Sequence, residues 1–201
     1  MVEIKEFPGF LYNIEKVKDI SKVIAPPWDL INDQIEEKLM NMSELNIVNL
    51  ISKNLPPDKV AEKLNFWLKQ KILLQDKEET IYYMKMSFDF EGKKYERKGF
   101  FCLLKLEDFE SKNIIPHEKI FTKYVDNRYK LIEKCNANFC PVFMLYQDKN
   151  FEIENMMEKS KNYFEGKTLN NELFEFGCIE KKNIERIKEI FKEKVVFIGD
   201  G

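Results

Sequence analysis

Two β-rich runs separated by a short turn segment constrain the fold of this chain more than any other feature of its sequence. They occupy residues 80–90 and 95–106, and the segment between them contains Gly92. Runs rich in β-branched and aromatic residues on either side of a glycine-containing turn are typical of a β-hairpin. The second run is almost continuously apolar over 99–106, which predicts a strand that is buried on both faces.

The rest of the chain alternates between helical and extended patterns. Capping residues and apolar periodicity predict helices from Asn32 or Asp33 to Met40, from Asp58 through Leu68, from Asp126 through Ile132, over 152–164 with Gly166 ending the helix, and over 183–192. Short apolar runs predict strands over 46–51, 141–146, 173–179 and 194–198. This order indicates an α+β fold, with a mixed sheet and flanking helices, in a single domain over residues 1–201.

Charge and hydropathy argue against two broad classes of protein. Lys and Arg number 33 against 35 Asp and Glu, for a net charge of −2. A general nucleic-acid-binding protein would need a basic surplus on one face. No apolar run approaches the roughly 20 residues that span a bilayer, and the N-terminus has acids where a signal peptide has a basic and then an apolar run. We therefore expect a cytoplasmic protein that is not a membrane protein.

The cysteine pattern argues for buried thiols. The four cysteines are Cys102, Cys135, Cys140 and Cys178, and they include no Cys-x-x-Cys pair. Cys135 and Cys140 are five residues apart and have no histidine beside them. Reduced thiols in the core are therefore favoured over a disulfide or a metal centre, and no metal ligands are assigned.

The segment 113–146 contains the residues that point most directly to chemistry. His117 is the single histidine of the chain, and it stands between Pro116 and Glu118. Pro116 cannot donate a backbone hydrogen bond and favours an extended conformation at Ile115, so we expect His117 and Glu118 where a strand gives way to a loop. Local chemistry leaves two interpretations open: a surface histidine followed by a helix-start glutamate, or a pair of site residues.

A second candidate site is the segment 195–201, in which an apolar strand is followed by Gly199, Asp200 and Gly201. Glycine lets backbone amides approach a phosphate, and the dipole of a following helix favours the negative charge. The pattern is therefore typical of a strand that leads into an anion-binding helix. A frayed tail is the alternative interpretation.

The loop 23–31 is a third candidate. Pro26 and Pro27 fix an extended backbone, so Trp28 and Asp29 are presented from a stiff segment. They are either site residues or part of a loop that is anchored by a packed tryptophan.

Eight pieces of the sequence occur in an order that is similar to that of a known family. They are 7–12, 23–31, 46–50, 99–101 with 106–109, 115–119 (Ile-Pro-His-Glu-Lys), 126–128 with Leu131, 136–138 through 141–143, and 195–201 (Val-Val-Phe-Ile-Gly-Asp-Gly). Together they resemble the N-terminal half of the domain-of-unknown-function family 1015. Trp28 stands where that family more often has Tyr. The family's last motif continues as Asp-Gly-His-His-Arg and opens a helix, which implies that this chain is the N-terminal part of a longer family protein.

The pairing of a Pro-His-Glu motif with a later Asp-Gly-His-His-Arg motif also resembles the ParB/sulfiredoxin-like fold, and within it the free serine kinases. The resemblance implies that Glu118, with His117 beside it, is the catalytic base, and it implies a nucleotide phosphate donor with Mg²⁺. The chain would then contain one half of such a site. The residues implied to hold phosphates are Gly199, Asp200 and Gly201, with Asp200 either assisting Mg²⁺ or holding a loop. The residues implied to bind substrate or to hold the structure are Trp28, Asp29, Arg128 and Asn138.

Three functions are consistent with these resemblances. The leading one is a phosphotransferase that acts on a small hydroxylated metabolite, with free serine as the first guess. The second is a ParB-like nucleotide- or DNA-binding module, against which the near-neutral charge argues. The third is a non-catalytic half-protein that folds with a partner, either a complementing chain or a second copy. A single site requires that 195–198 form a buried strand beside the strand that leads to His117.

Overall fold

The chain combines short helices with several small sheets. The computed structural model describes residues 1–117, 122–158 and 160–200. Within those ranges the helices are α1 (Ile14–Val17), α2 (Asp33–Met42), α3 (Val48–Ile51), α4 (Pro57–Lys69), α5 (Thr122–Cys135), α6 (Glu152–Met157) and α7 (Lys181–Lys192). The strands are β1 (Ile4–Lys5), β2 (Phe10–Tyr12), β3 (Leu73–Gln75), β4 (Tyr82–Phe90), β5 (Lys93–Phe101), β6 (Leu103–Leu104), β7 (Ile114–Ile115), β8 (Phe143–Leu145), β9 (Lys161–Lys167), β10 (Leu173–Cys178) and β11 (Val196–Asp200). This is the α+β class that the sequence predicts.

Two sheets carry most of the strand pairing. The larger is antiparallel, with the strand order β5-β4-β10-β9. The smaller has the order β7-β11-β8, in which β11 is parallel to β7 and antiparallel to β8. Two further pairs, β1 with β6 and β2 with β3, lie outside these sheets. The predicted mixed sheet is therefore the three-stranded one.

The predicted hairpin is confirmed as β4 and β5, which pair over their whole length from Tyr82 with Phe101 to Phe90 with Lys93. Both turn residues have positive φ, 52° at Glu91 and 74° at Gly92, and a two-residue type I′ turn requires this conformation at both positions. The prediction that the apolar run 99–106 is buried on both faces is wrong. Its strand ends at Phe101, and the side chain of Leu106 is 90% exposed.

The main core lies between the two larger sheets and is closed by α6 and α7. Ile81 and Tyr83 from the hairpin side contact a buried cluster that includes Ile114 of β7 and Val196 of β11. On α7 the predicted inward-facing residues are confirmed, since Ile184, Ile187 and Phe191 are all buried. Burial of each such side chain contributes about 1.5–3 kcal/mol. The core therefore holds the strands that lead to both motif segments.

The segment 46–51 forms a helical turn and not the predicted strand. Asn46 is completely buried, and its side-chain amide donates to the carbonyl oxygens of Lys22 and Ile24, both at 2.9 Å. Its Oδ1 accepts a hydrogen bond from the backbone N–H of Val48, where α3 begins. These polar contacts outweigh a weak apolar alternation, because strand propensity depends strongly on its surroundings.

The helix predicted over 152–164 is also wrong. Asp148 accepts hydrogen bonds from the first backbone amides of α6, and the helix ends at Met157. Strand β9 follows and pairs with β10, with the rings of Phe164 and Phe176 stacked at 6.0 Å. Gly166, predicted to end the helix, lies inside β9, where a Cβ would come within 2.8 Å of Ile20. Pairing with a strand that lies later in the sequence decides this conformation.

The predicted helix starts are right in one case and wrong in two. Asn32 caps α2, since its Oδ1 accepts from the N–H of Ile35 at 2.9 Å. Asp58 is not a cap, because α4 begins at Pro57 and the Asp58 carboxylate pairs with Lys134 of α5 at 2.9 Å. Asp126 lies inside α5, which begins at Thr122. Among the described helices, none is both long enough and apolar enough to cross a membrane.

Candidate functional site

The two predicted motif segments leave the three-stranded sheet at the same edge. Val196 and Phe197 of β11 are the register partners of Ile114 and Ile115 of β7, and the two strands are parallel. Parallel neighbours end at one edge of a sheet. Pro116 and His117, which follow β7, and the last described residues of β11 therefore lie at one end of the sheet. This confirms that the strand over 195–198 neighbours the strand leading to His117.

Strand β11 was predicted to be buried, but only one of its two faces is. Val196 is 2% exposed, whereas Val195 and Phe197 on either side of it are 39% and 43% exposed. This alternation is what a strand gives when one face of its sheet packs on the core and the other faces solvent. The opposite face thus carries exposed aromatic and aliphatic side chains, including Phe143 and Leu145 of β8.

A β-bulge interrupts the pairing of β11 with β8 near the end of β11. Ile198 pairs with Met144 and Asp200 pairs with Phe143, so Gly199 is an extra residue without a partner on β8. A Cβ on Gly199 would come within 3.2 Å of the Phe143 ring. Bulges bend a strand and recur beside active sites. The bulge leaves Asp200 exposed at the edge where both motif segments end.

The predicted site residues at this edge are only partly described. His117 is exposed, in a bend directly after Pro116. Glu118 and Gly201 lie outside the described residues. Asp200 offers an exposed carboxylate, and Mg²⁺ commonly takes one or two carboxylates together with substrate phosphates and water. The donor chemistry thus fits an ion that arrives with a nucleotide, although among the described residues no three or more His, Cys, Asp or Glu side chains are close enough to hold a metal ion.

An arginine that sequence reasoning missed lies beside the bulge. The guanidinium carbon of Arg97, on β5, is 5.9 Å from the centroid of the Phe143 ring, against which Gly199 packs. It is also 5.9 Å from the Phe88 ring, and Nη2 is 3.4 Å from the sulfur of Met86. Arg97 stands in a strand full of charged residues, so no local signal separates it from an ordinary solvent-facing cation.

The other predicted residues form a second cluster, which we name the Trp28 cluster: Trp28, Asp29, Lys53, Arg128, Asn138 and Cys140. Pro27 is extended, and Trp28 begins a single 3₁₀ turn, Trp28–Leu30. The guanidinium carbon of Arg128 lies 3.9 Å from the centroid of the Trp28 ring. Lys53, which sequence reasoning did not select, places Nζ 4.5 Å from the same ring. The structure therefore brings together two of the predicted residues and adds a second cation.

The remaining members of the Trp28 cluster are linked through Cys140. Burial raises the pKa of the Cys140 thiol, while Arg128 acts to lower it and Asp29 to raise it. Asn138 holds the turn, since its Oδ1 accepts from the N–H of Cys140 at 3.0 Å. Burial also lowers the pKa of Arg128. Asp29 and Asn138 are both exposed, so of the four predicted residues only Trp28 and Arg128 are in direct contact.

The four cysteines are free thiols. Burial raises the pKa of Cys102 to about 12, which keeps its thiol protonated at neutral pH. Burial also raises the pKa of Cys135. A thiol with a raised pKa is a poor nucleophile and a poor metal ligand. Cys102 therefore acts as a small apolar residue of the core.

Comparison with known proteins assigns the chain to a family. Comparison with curated proteins found no match, and comparison with solved structures found none either. A family model with the description "Protein of unknown function (DUF1015)" matches residues 4–201. That match covers both motif segments and the Trp28 cluster, and it is the family that the eight sequence pieces resemble. The chain belongs to the DUF1015 family.

Proposed function

We propose that the edge formed by the ends of β7 and β11 is one half of a phosphotransferase site that acts on a small hydroxylated metabolite, with free serine as the first candidate. The observation that carries the proposal is the parallel pairing of Ile114 and Ile115 with Val196 and Phe197. It brings the ends of β7 and β11, and with them Pro116 and Asp200, to one end of a sheet although about 80 residues separate them in the sequence.

In this proposal Glu118 is the general base. In phosphoryl transfer the oxygen of the substrate hydroxyl bonds to phosphorus and the nucleoside phosphate leaves. A carboxylate accepts the proton that the hydroxyl loses. His117 lies beside Glu118 in the sequence and completes this side of the site. The carboxylate and its neighbour follow directly from β7, whose burial in the core keeps the start of the segment in place.

The phosphate side of the site is assigned to Gly199, Asp200 and Gly201. Glycines permit close approach of backbone amides to phosphate oxygens, and the carboxylate of Asp200 suits Mg²⁺ that accompanies a nucleotide. Bound Mg²⁺ would neutralise charge that develops on the transferred group. We also propose that the family's His-His-Arg continuation supplies a cation here and that Arg97, which contacts Phe143 beside the bulge, supplies another.

The test of the base is Glu118→Gln, measured on a chain that carries the family's Asp-Gly-His-His-Arg continuation. Glutamine keeps the size and hydrogen-bonding shape of the side chain but cannot take the proton. Turnover of serine with a nucleotide donor should fall by roughly 10²–10⁴-fold, while donor affinity and thermal midpoint stay near those of the unchanged protein. Glu110→Gln, at an exposed glutamate of the segment before β7, is the matched control.

The opposite pattern would overturn this assignment. A helix-start carboxylate without a catalytic role contributes about 0.3–1 kcal/mol to stability and nothing to turnover. Unchanged turnover with a lowered midpoint in Glu118→Gln would therefore assign Glu118 to that structural role. Absence of phosphoryl transfer to serine and to a panel of small hydroxylated metabolites would reject the phosphotransferase itself.

Arg97→Gln tests the added cation separately. Loss of a charged contact to phosphate should weaken donor binding by roughly tenfold and leave the base untouched. Lys94→Gln, at an exposed cation of the same strand, controls for general charge. Equal donor affinity in both variants would remove Arg97 from the proposed site.

A further inference from the structure

The Trp28 cluster concentrates positive charge on one aromatic ring. Arg128 and Lys53 approach the ring centroid to 3.9 and 4.5 Å, both within the distance of about 6 Å at which a cation is attracted to a ring face. Attraction to Trp28 helps to hold the two cations at one place despite their mutual repulsion. Two like charges at one ring are costly unless a third group offsets them.

The guanidinium of Arg128 has a donor that nothing in the described structure satisfies. Its Nη2 is buried and has no hydrogen-bond partner. Leaving a buried donor without an acceptor costs free energy, and more when the donor is charged. Lys53 uses one contact, to the carbonyl oxygen of Ile31 at 3.3 Å, and an ammonium group has three donors. Among the described residues, Arg128 Nη2 is thus a buried donor without an acceptor, while Lys53 is exposed and its other donors face solvent.

In the part of the chain that the structure describes, no carboxylate forms an ion pair with Arg128 or Lys53. Asp29, next to Trp28 in the sequence, is exposed, and among the described residues it forms no ion pair with Arg128 or Lys53. A guanidinium presents five donors in a planar fork that fits two oxygens of a carboxylate or a phosphate. The unmet donors therefore have the geometry and sign of an oxyanion site.

The segment 140–143 connects the cluster to the edge where β7 and β11 end. Cys140, whose thiol senses the charge of Arg128, is three residues before Phe143, so the two Cα atoms are at most about 11 Å apart. Phe143 is in turn the register partner of Asp200, and such partners have Cα atoms about 5 Å apart. The Cα atoms of Cys140 and Asp200 are therefore at most about 16 Å apart.

We propose that Arg128 and Lys53, positioned by the Trp28 ring, form an oxyanion-binding site that takes the carboxylate or a phosphate group of a small ligand. The proposal concerns binding alone, so it does not depend on the phosphotransferase. The missing partner of Arg128 Nη2 is an oxygen of that ligand. Both source groups present two oxygens to one guanidinium, and the experiment distinguishes them.

The chain contains two tryptophans, which makes the test direct. Trp67 is 2% exposed in the core, whereas Trp28 is half-buried in the cluster. An anion that binds beside Trp28 should change the tryptophan fluorescence in a saturable way. The probes are L-serine against L-serinamide, which lacks the carboxylate, and inorganic phosphate or ADP against adenosine. In Trp28→Phe the fluorescence change should disappear while the emission of Trp67 remains.

Substitution of the cations decides whether they form the site. Arg128→Gln and Lys53→Met should each weaken binding of the active probe by roughly ten- to a hundredfold. Arg128→Lys, which keeps the charge and loses the fork, should weaken it less. Lys130→Gln, at an exposed lysine of the same helix, should leave the affinity unchanged. Asp29→Asn should strengthen binding a few-fold, because it removes a nearby negative charge.

Three results would overturn the proposal. One is the absence of a saturable response to every carboxylate and phosphate probe. The second is an equal response to serine and serinamide together with an equal response to ADP and adenosine. The third is unchanged affinity in both Arg128→Lys and Lys53→Met. The first variant keeps the charge of the site and the second keeps its packing, so neither result is explained by loss of folding. A response to only one probe pair supports the proposal and names the source of the anion.

Discussion

The two larger sheets of this protein differ in how much of their strand pairing is between neighbours in sequence. In the four-stranded sheet, β4 and β5 are neighbours in sequence and pair over nine residues. In the three-stranded sheet, strands of two, three and five residues are brought together from distant segments. The first sheet carries Arg97 and the family piece 99–101, while the strand ends of the second lead into both motif segments. The two motif segments thus follow the sheet with the shorter strands, and the longer local hairpin supplies one neighbouring cation.

Replacement of Gly177 by alanine should give the largest effect, and it lies in the four-stranded sheet. An added Cβ would overlap the backbone carbonyl of Lys161 at the irregular step between β10 and β9. Because backbone and not a flexible side chain must move, we expect about 3 kcal/mol or more of lost stability in denaturant unfolding.

The matched control for Gly177 is Gly99→Ala on β5. A Cβ there has nothing within 4 Å, so the change in unfolding free energy should stay within about 0.5 kcal/mol. Similar losses in the two variants would show that close packing at Gly177 is not the cause, because a Cβ at Gly99 meets no atom.

A core substitution in the three-stranded sheet should cost less. Val196→Ala removes two methyl groups from a side chain that is 2% exposed and shared with the main core, and we expect a loss of roughly 1.5–3 kcal/mol. Hydrogen exchange should show earlier opening of β11 and β7 than of β4. Uniform acceleration across both sheets would mean that they unfold as one unit and would break the comparison.

The bulge should respond more weakly still. In Gly199→Ala the new methyl group would press on the Phe143 ring at 3.2 Å, and a side chain that can shift limits the loss to about 0.5–1.5 kcal/mol. Phe143→Leu should remove most of this penalty in a double-mutant cycle of unfolding free energies. Additive effects of the two changes would contradict the contact as its cause.

The smallest effect concerns pH and the segment before β7. A hydrogen bond from Asn113, with Nδ2 2.7 Å from Glu107, lowers the pKa of Glu107. A carboxyl group whose pKa is lowered on folding stabilises the fold above its ordinary pKa, about 4.3, and loses that contribution as pH falls through the lowered value. The thermal midpoint of Asn113→Ala should therefore fall less steeply below that pH than that of the unchanged protein. Parallel curves would contradict the contribution.

Local patterns predicted the elements whose own sequence carries a clear turn signal or apolar pattern. The hairpin, strand β10 and helix α7 were predicted from turn chemistry and apolar periodicity within windows of ten to twenty residues. Strand β9 was missed although its partner β10 follows it closely in the sequence, because pairing with β10 decides its conformation. Helix α3 was missed because the buried amide of Asn46 bonds to a loop more than twenty residues away. Propensity is a weak guide wherever distant contacts decide.

The candidate site also contains residues that a local pattern predicted and residues that it did not. His117 and Asp200 stand in recognisable motifs, and the requirement that the motifs converge correctly predicted that β7 and β11 are neighbours. Lys53 and Arg97 have no motif, because their relevance comes from the rings that they approach, Trp28 and Phe143. In both cases the ring and the cation lie far apart in the sequence. The roles of Glu118 and Gly201 stay predictions, since both lie outside the described residues.

The central place of β11 has a consequence for synthesis of the chain on the ribosome. β7 and β8 flank β11 without pairing with each other, and β8 is complete about fifty residues before β11 begins. At about 5–20 residues per second, the nascent protein spends roughly 3–10 s with an open slot between two strand edges. An unfilled slot of this kind accepts any extended peptide of suitable length. Fidelity of folding in the cell therefore depends on how quickly β11 emerges and on what shields the slot until then.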